Sequence, residues 1–275
     1  MALKNEDGSI TRALLITASL LFLFIMLILP LCIVLYIALR SGWETYKNTV
    51  TDFYTLKALQ LTLSSTLVAV VVNTLFGLFA AWAITKFSFR GKKFLTTMID
   101  VPFAISPVIA GLIFILTFGR IGWAHEWLDS YNINIVFAVP GIILAVIFVT
   151  FPFVARELIP VLNAQGSDEE EAAALMGANG FVIFFRVTLP NIKWALLYGV
   201  ILCTARAMGE FGAVSVLSGH LRGKTNTLPL HVEILYNEYK YSQAFAVSSI
   251  LVIMAVIILI ARNIVEYKGK KELGL

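Results

Sequence analysis

The sequence predicts an all-α integral membrane protein with six transmembrane helices, on three observations. Of its 275 residues, 59% are hydrophobic and only 14% charged, and the mean hydropathy is +0.86. Soluble domains carry nearer a quarter charged residues. The apolar residues gather into runs of the roughly 20 residues needed to cross about 30 Å of hydrocarbon. Basic residues collect in alternate connections between those runs, as the positive-inside bias requires.

Residues 1–12 form a polar tail carrying Lys4 and Arg12. The first run, 13–39, exceeds the roughly 7–15 residues of a signal-peptide core and lacks a clear small-residue cleavage site, so it reads as an uncleaved span. Further spans are expected at 58–84, 94–118, 135–155, 195–217 and 243–261, making 13–262 one membrane domain followed by a 263–275 tail. The spans use up most of the chain, and a separate soluble catalytic domain is not expected. Pro102, Pro107 and Pro152 interrupt the third and fourth spans. Each leaves a carbonyl unpaired, so bends are expected there, either beside an interior path or as packing kinks. Cys32 and Cys203 fall in apolar runs without metal or redox spacing and are read as small core residues.

Orientation follows from the lysines and arginines. Lys86, Arg90, Lys92 and Lys93 lie in the 85–93 connection, and Arg262, Lys268, Lys270 and Lys271 near the C-terminus. With Lys4, Arg12, Arg156, Arg186 and Lys193, one side holds thirteen basic residues and the other seven. Both termini and the 156–193 connection are therefore expected in the cytoplasm. The tryptophans Trp43, Trp82, Trp123, Trp127 and Trp194 fall near span ends, as an aromatic belt would.

The 156–193 connection holds the most informative segment. Ser167-Asp168-Glu169-Glu170 reads as a capping box, with Ser167 at the N-cap and Glu170 reaching back. Acids from Asp168 to Glu171 occupy the first turn, where the helix dipole favours them. Gly177 is the expected stop, and Ala172, Leu175 and Met176 share one face. A second segment, Phe181-Val182-Ile183-Phe184-Phe185-Arg186, follows and is expected to end at Pro190. Interfacial helices usually carry basic polar faces. This acidic, small-residue helix suits a groove on another protein better than an anionic lipid surface.

Glu171-Ala172-Ala173, Gly177 and, nine residues on, Val187-Thr188-Leu189-Pro190 resemble the EAA signature of binding-protein-dependent ABC importer permeases. Val187 stands where isoleucine is usual. The likeness extends from Pro152 to Tyr239, through Phe151-Pro152-Phe153-Val154-Ala155-Arg156-Glu157 and Arg206-Ala207-Met208-Gly209-Glu210-Phe211-Gly212-Ala213, and is similar to the sulfate/thiosulfate permeases of the CysW type. Molybdate and tungstate permeases, which share Gly-Glu-Phe-Gly, are the alternative. The resemblance implies a MetI-like (type I ABC importer) permease fold in the inner membrane. It implies a cytoplasmic ABC ATPase dimer that uses the ATP, with no cofactor or metal on this chain. A second, paralogous permease and a periplasmic or lipid-anchored sulfate/thiosulfate-binding protein would complete the complex, in membrane lipid and without nucleic acid. Glu171, Ala172, Ala173, Leu175, Met176, Gly177, Leu189 and Pro190 would form the coupling helix that docks on the ATPase.

Arg206 is expected at the middle of the fifth span with Glu210 one turn on. An arginine at a helix centre costs roughly 2.5–3.5 kcal/mol, so it needs a partner or a wet cavity. The i, i+4 pair reads either as a structural ion pair at a subunit interface or as part of a translocation path, with Glu210 at a gate. Ala205, Gly209 and Ala213 add a small-residue stripe suited to close helix approach. Ser106, beside Pro107, is a further pore-lining candidate or simple packing punctuation. Gly219-His220-Leu221-Arg222-Gly223-Lys224-Thr225 is one residue too short for a phosphate-binding loop and follows no strand. Arg222 and Lys224 are expected in a solvated loop or facing an acidic patch on the delivery protein. An ion-coupled transporter would need more intramembrane acids than Glu210. An enzyme is disfavoured because His125, His220 and His231 all fall outside the spans.

Overall fold

The computed structural model describes residues 7–272, and its regular structure is entirely helical. Lys4 and residues 273–275 of the two tails lie outside the described residues. In chain order the helices begin with α1 (Thr11–Arg40), α2 (Trp43–Val50), α3 (Phe53–Lys86), α4 (Lys92–Ala104), α5 (Pro107–Phe118) and α6 (His125–Ser130). They continue with α7 (Val139–Gln165), α8 (Asp168–Leu175), α9 (Gly180–Met208), α10 (Gly212–Leu217), α11 (Leu228–Asn237) and α12 (Tyr241–Lys271). By length and composition α1, α3, α7, α9 and α12 can each cross a bilayer, and α4 with α5 makes a sixth candidate, bent by 107°.

The centre of the bundle is α3 against α7 and α9. The buried stripe of α3 runs Thr55, Ala58, Thr62, Ser65, Ala69, Asn73, Gly77 and Ala81, a helical 3–4 spacing of small or short polar residues. Such residues let backbones approach where the hydrophobic effect cannot drive helices together. A Cβ on Gly77 would stand 2.8 Å from the Val154 Cβ and 2.9 Å from the Ala155 amide nitrogen. On α9, Gly199 opens the same kind of space for the backbone of Val154. Asn73 donates to the Ile147 carbonyl at 3.1 Å and to Thr150 Oγ1 at 2.8 Å, fixing the register of α3 on α7. Large apolar side chains such as Leu67, Leu75, Phe79, Ile113 and Ile257 point outward, the inverse of a soluble core.

Prolines act differently from the expectation. Pro102 is carried inside α4 and Pro160 inside α7. At Pro152 the helical pattern of α7 lapses for one residue at Phe151, whose amide bonds the Phe148 carbonyl at 3.4 Å. The span still runs on to Gln165, well beyond residue 155. Pro190 does not end its segment either, because α9 is continuous from Gly180. A π-turn at Phe184–Thr188 precedes it, in which the Leu189 amide bonds the Phe184 carbonyl five residues back. Proline lacks an N–H and its ring clashes with the carbonyl four residues earlier. Inserting a residue into the preceding turn moves that carbonyl aside. The same device precedes Pro30 in α1, where the Leu29 amide bonds Phe24 across a π-turn at Phe24–Ile28. Pro107 alone coincides with a sharp break, since Ile105 and Ser106 take extended ψ angles of 129° and 135°. Residues before proline are driven there sterically.

The fifth span also departs from its expected limits. It stops at Met208, turns through 209–211 and resumes as the short α10. Three further helices, α2, α6 and α11, occupy connections between the expected spans. α2 carries a largely polar sequence, and α11 buries Leu228, Leu230, His231 and Leu235 against α3 and α12. Cys203 is buried, whereas Cys32 is exposed on the outer surface of α1 and is not a core residue.

Candidate functional site

Two places concentrate the residues singled out by the sequence. The first is α8, at the end of the bundle where α3 finishes and α9 begins. Its C-terminus is a Schellman motif: the Ala178 amide bonds the Ala173 carbonyl at 3.1 Å and the Gly177 amide bonds Ala174 at 2.9 Å. Gly177 takes φ +86°, the left-handed conformation that glycine adopts without a Cβ penalty. The capping box at its N-terminus does not form. Ser167 Oγ instead donates to Glu171 Oε1 at 2.6 Å, and the Glu170 carboxylate is drawn elsewhere.

Glu170 turns into the protein. Its Oε2 lies 3.0 Å from Lys86 Nζ, and its Oε1 accepts from Thr188 Oγ1 at 2.6 Å. Lys86 ends α3 and also donates to the Gly166 carbonyl, while Asn191 donates to Glu169. The side chains of Lys86 and Glu170 are only 8% and 14% exposed. Removing one partner of a pair this buried costs on the order of 3–5 kcal/mol. Nothing in the local sequence announces this contact, because Lys86 stands far away in the chain from Glu170.

Ala173 lies on the inward side of α8 and is buried. Ala172 and Glu171 face out, while Leu175 and Met176 are 89% and 83% exposed. Phe181, at 81% exposed, and Phe185 extend the bare apolar surface onto the start of α9. Of the remaining docking candidates, Leu189 packs against the core beside Phe184 and Ile192, whereas Pro190 is exposed. The expected docking set thus divides into an outer face of Glu171, Ala172, Leu175, Met176, Gly177 and Pro190 and an inner support of Ala173 and Leu189. The sequence reading missed Phe181 as part of that outer face, although its place after Gly180 in an aromatic run was a visible signal.

The second place is a junction of two broken helices. Gly212, at the start of α10, sits where a Cβ would lie 3.1 Å from the Pro107 Cβ of α5. A Cβ on Gly111 would come within 2.8 Å of the Ala213 carbonyl. The break at Ile105–Ser106 and the break at 209–211 therefore nest against each other. Ser106 is exposed beside this contact and makes no side-chain cap. Arg206 is in the last turn of α9 rather than at mid-span. Its Nη1 reaches Glu210 Oε2 at 2.6 Å, and Glu210 Oε1 accepts from the Ala213 amide at 2.8 Å. Glu210 is buried and Arg206 about one-third exposed. One carboxylate thus neutralises an arginine and caps the next helix.

Charges elsewhere are paired less deeply. Arg156 meets Asp100 at 3.0 Å and lies over the Phe103 ring, with both side chains about half exposed. At the opposite end of the bundle from α8, Arg222 pairs with Glu238 rather than standing free in a loop. A cavity of about 550 Å³ there is lined by Asp52, Thr55, Arg222, His231 and Lys240 among others. His231 is buried beside Thr55 Oγ1 at 3.3 Å. Burial lowers its imidazole pKa, Arg222 lowers it further, and Asp52 and Glu238 oppose the shift. Among the described residues no group of three or more His, Cys, Asp or Glu is placed to hold a metal ion.

Known proteins match this arrangement. The family model for the binding-protein-dependent transport system inner membrane component matches residues 73–271. The sulfate transport system permease protein CysW of a Synechocystis strain is 48% identical over 257 residues, covering 94% of this chain and 93% of that protein. The sulfate transport system permease protein CysT of Escherichia coli is 34% identical, covering 93% of each. Among solved structures, a bacterial ABC transporter that imports the acidic polysaccharide alginate superposes with a TM-score of 0.77 at 16% identity, covering 96% of this chain and 98% of that one. That likeness supports the expected MetI-like fold. The chain belongs to the family of inner-membrane permease components of binding-protein-dependent ABC transport systems.

Proposed function

We propose that this chain is one of two unlike permease halves of an ATP-driven sulfate importer, docked through α8 onto a cytoplasmic ATPase dimer. The 48% identity to a CysW protein over 94% of the chain carries the substrate assignment. The lower identity to a CysT protein supports a paralogue as the second half. A secreted sulfate/thiosulfate-binding protein, periplasmic or lipid-anchored, delivers the anion to the end opposite α8. Both termini and α8 are cytoplasmic, in keeping with the clustering of basic residues on that side. ATP is bound and hydrolysed by the partner subunits.

The exposed face of Leu175, Met176 and Phe181 supports docking, since large bare apolar surface beyond a membrane span needs a partner. ATP binding shifts the ATPase between two arrangements, and differential contact with α8 biases the spans between inward-open and outward-open states. The junction of Ser106, Arg206 and Glu210 borders the anion's path. The charges of Arg206 and Glu210 cancel there, so no unpaired cation holds a resting oxyanion; passage is transient and affinity resides in the delivery protein.

The test is ³⁵S-sulfate uptake by cells lacking their own sulfate importers and supplied with the complete complex. Uptake should depend on ATPase activity and compete with unlabelled sulfate and thiosulfate. Leu175→Asp with Met176→Asp should abolish uptake and release the ATPase, while leaving the permease in the membrane. Competition by molybdate alone would transfer the substrate assignment to that anion.

A further inference from the structure

The outer face of α8 explains where a partner would bind, but not how its movement reaches the spans. A helix of about two turns resting on lipid could tilt without moving anything. Here the inner face is fastened. The half-buried Glu170 carboxylate contacts Lys86 at the end of α3 with one oxygen and Thr188 in the π-turn of α9 with the other. Lys86 also holds the Gly166 carbonyl in the α7–α8 turn. Two of the long helices, α3 and α9, thus meet at one carboxylate, and Lys86 ties the turn that leaves α7 to the same place. α3 is the helix whose small-residue stripe packs on α7, and α9 leads to the Arg206–Glu210 junction. Thr188 sits where the backbone is locally wound to five residues per hydrogen bond, a place where a helix can change pitch.

We propose that Glu170, Lys86 and Thr188 form a transmission joint: positioning residues that convey movement of α8 into α3 and α9 without touching the ATPase. This inference rests on the reading of α8 as the ATPase-docking helix. It separates two tasks within one short segment. Leu175, Met176 and Phe181 hold the partner, and Glu170 delivers the displacement. Because the joint is a charged and hydrogen-bonded contact rather than a greasy one, it has a preferred geometry and resists sliding.

The experiment uses the whole complex in proteoliposomes with its binding protein. It measures ATPase retained per permease, ATP hydrolysed, and sulfate imported per ATP. Glu170→Gln should retain the ATPase at unchanged stoichiometry and keep hydrolysing ATP, while sulfate imported per ATP falls about tenfold. Thr188→Val, which removes one donor without changing charge, should lower the ratio about threefold. The exchange Lys86→Glu with Glu170→Lys should recover at least half of what Glu170→Gln loses. An unchanged ratio in both Glu170→Gln and Thr188→Val overturns the proposal. So does loss of the ATPase from Glu170→Gln complexes, which would make Glu170 a docking residue. Failure of the unaltered complex to retain any ATPase would instead strike at the docking reading itself.

Discussion

Arg206 and Glu210 pair across the end of a helix rather than along one, with Nη1 and Oε2 2.6 Å apart and α9 already finished at Met208. The i, i+4 spacing read from the sequence brings them together even though the helix does not continue through both. The pairing differs in consequence from an ordinary helical ion pair. Glu210 also caps α10, so the arginine's counter-charge and the start of the next helix depend on one buried side chain.

Removing that side chain should do two kinds of damage. Glu210→Ala leaves Arg206 unpaired and the Ala213 amide uncapped, and should destabilise the permease by about 3–5 kcal/mol. Thermal unfolding of the purified complex reads this as a clear drop in midpoint. The double change Arg206→Met with Glu210→Gln keeps a cap acceptor and removes both charges, so stability should largely return. If sulfate uptake returns with it, the pair has no part in the anion's path.

Gly177 offers a cleaner separation of backbone from surface chemistry. Nothing lies within 4 Å of a Cβ placed there, so the obstacle to substitution is its φ of +86° alone. Gly177→Asn should remain close to the parent, because asparagine tolerates the left-handed region. Gly177→Ala should weaken the helix stop by about 1–2 kcal/mol. Gly177→Asp should insert into the membrane normally and yet lose ATPase binding, as seen by co-purification, because it places a charge on the face proposed to dock the ATPase.

Gly77 is the opposite case, being limited by space and not by φ. Gly77→Ala forces its methyl group against the Val154 Cβ at 2.8 Å and the Ala155 backbone at 2.9 Å. Separating α3 from α7 should cost about 1–3 kcal/mol. Gly180→Ala, with open space around it, should leave the unfolding midpoint unchanged.

The end of the bundle opposite α8 should be sensitive to mild acid. Burial holds the His231 pKa below the roughly 6.5 of a free histidine. As pH falls through that value, the unfolded chain takes up the proton before the folded one does, so stability present at neutral pH is lost progressively below about 6.5. Asp52, Arg222, Glu238 and Lys240 face the same cavity or act on the ring, and their net effect leaves the value lowered. His231→Gln should flatten the dependence of the unfolding midpoint on pH between about 5 and 7. An equally steep slope in that variant would assign the effect to another group.

Much of this was legible in the chain. Composition alone requires a bilayer, and hydropathy runs locate all six apolar segments, because transfer into hydrocarbon is a sum over consecutive residues. Gly177 and the Arg206–Glu210 pair were also readable, since a helix stop and a one-turn spacing are local. Whether a proline breaks a helix was not. Pro102 and Pro190 are carried within continuous helices while Pro107 coincides with a 107° bend. Before Pro190 a π-turn accommodates the lost hydrogen bond, and hydropathy is blind to it. The nesting of the two breaks at Pro107 and Gly212, the burial of α11, and the Lys86–Glu170 contact belong to tertiary structure alone. Each joins residues distant in sequence, and a carboxylate's choice between capping its own helix and reaching a distant lysine is decided by what packs beside it.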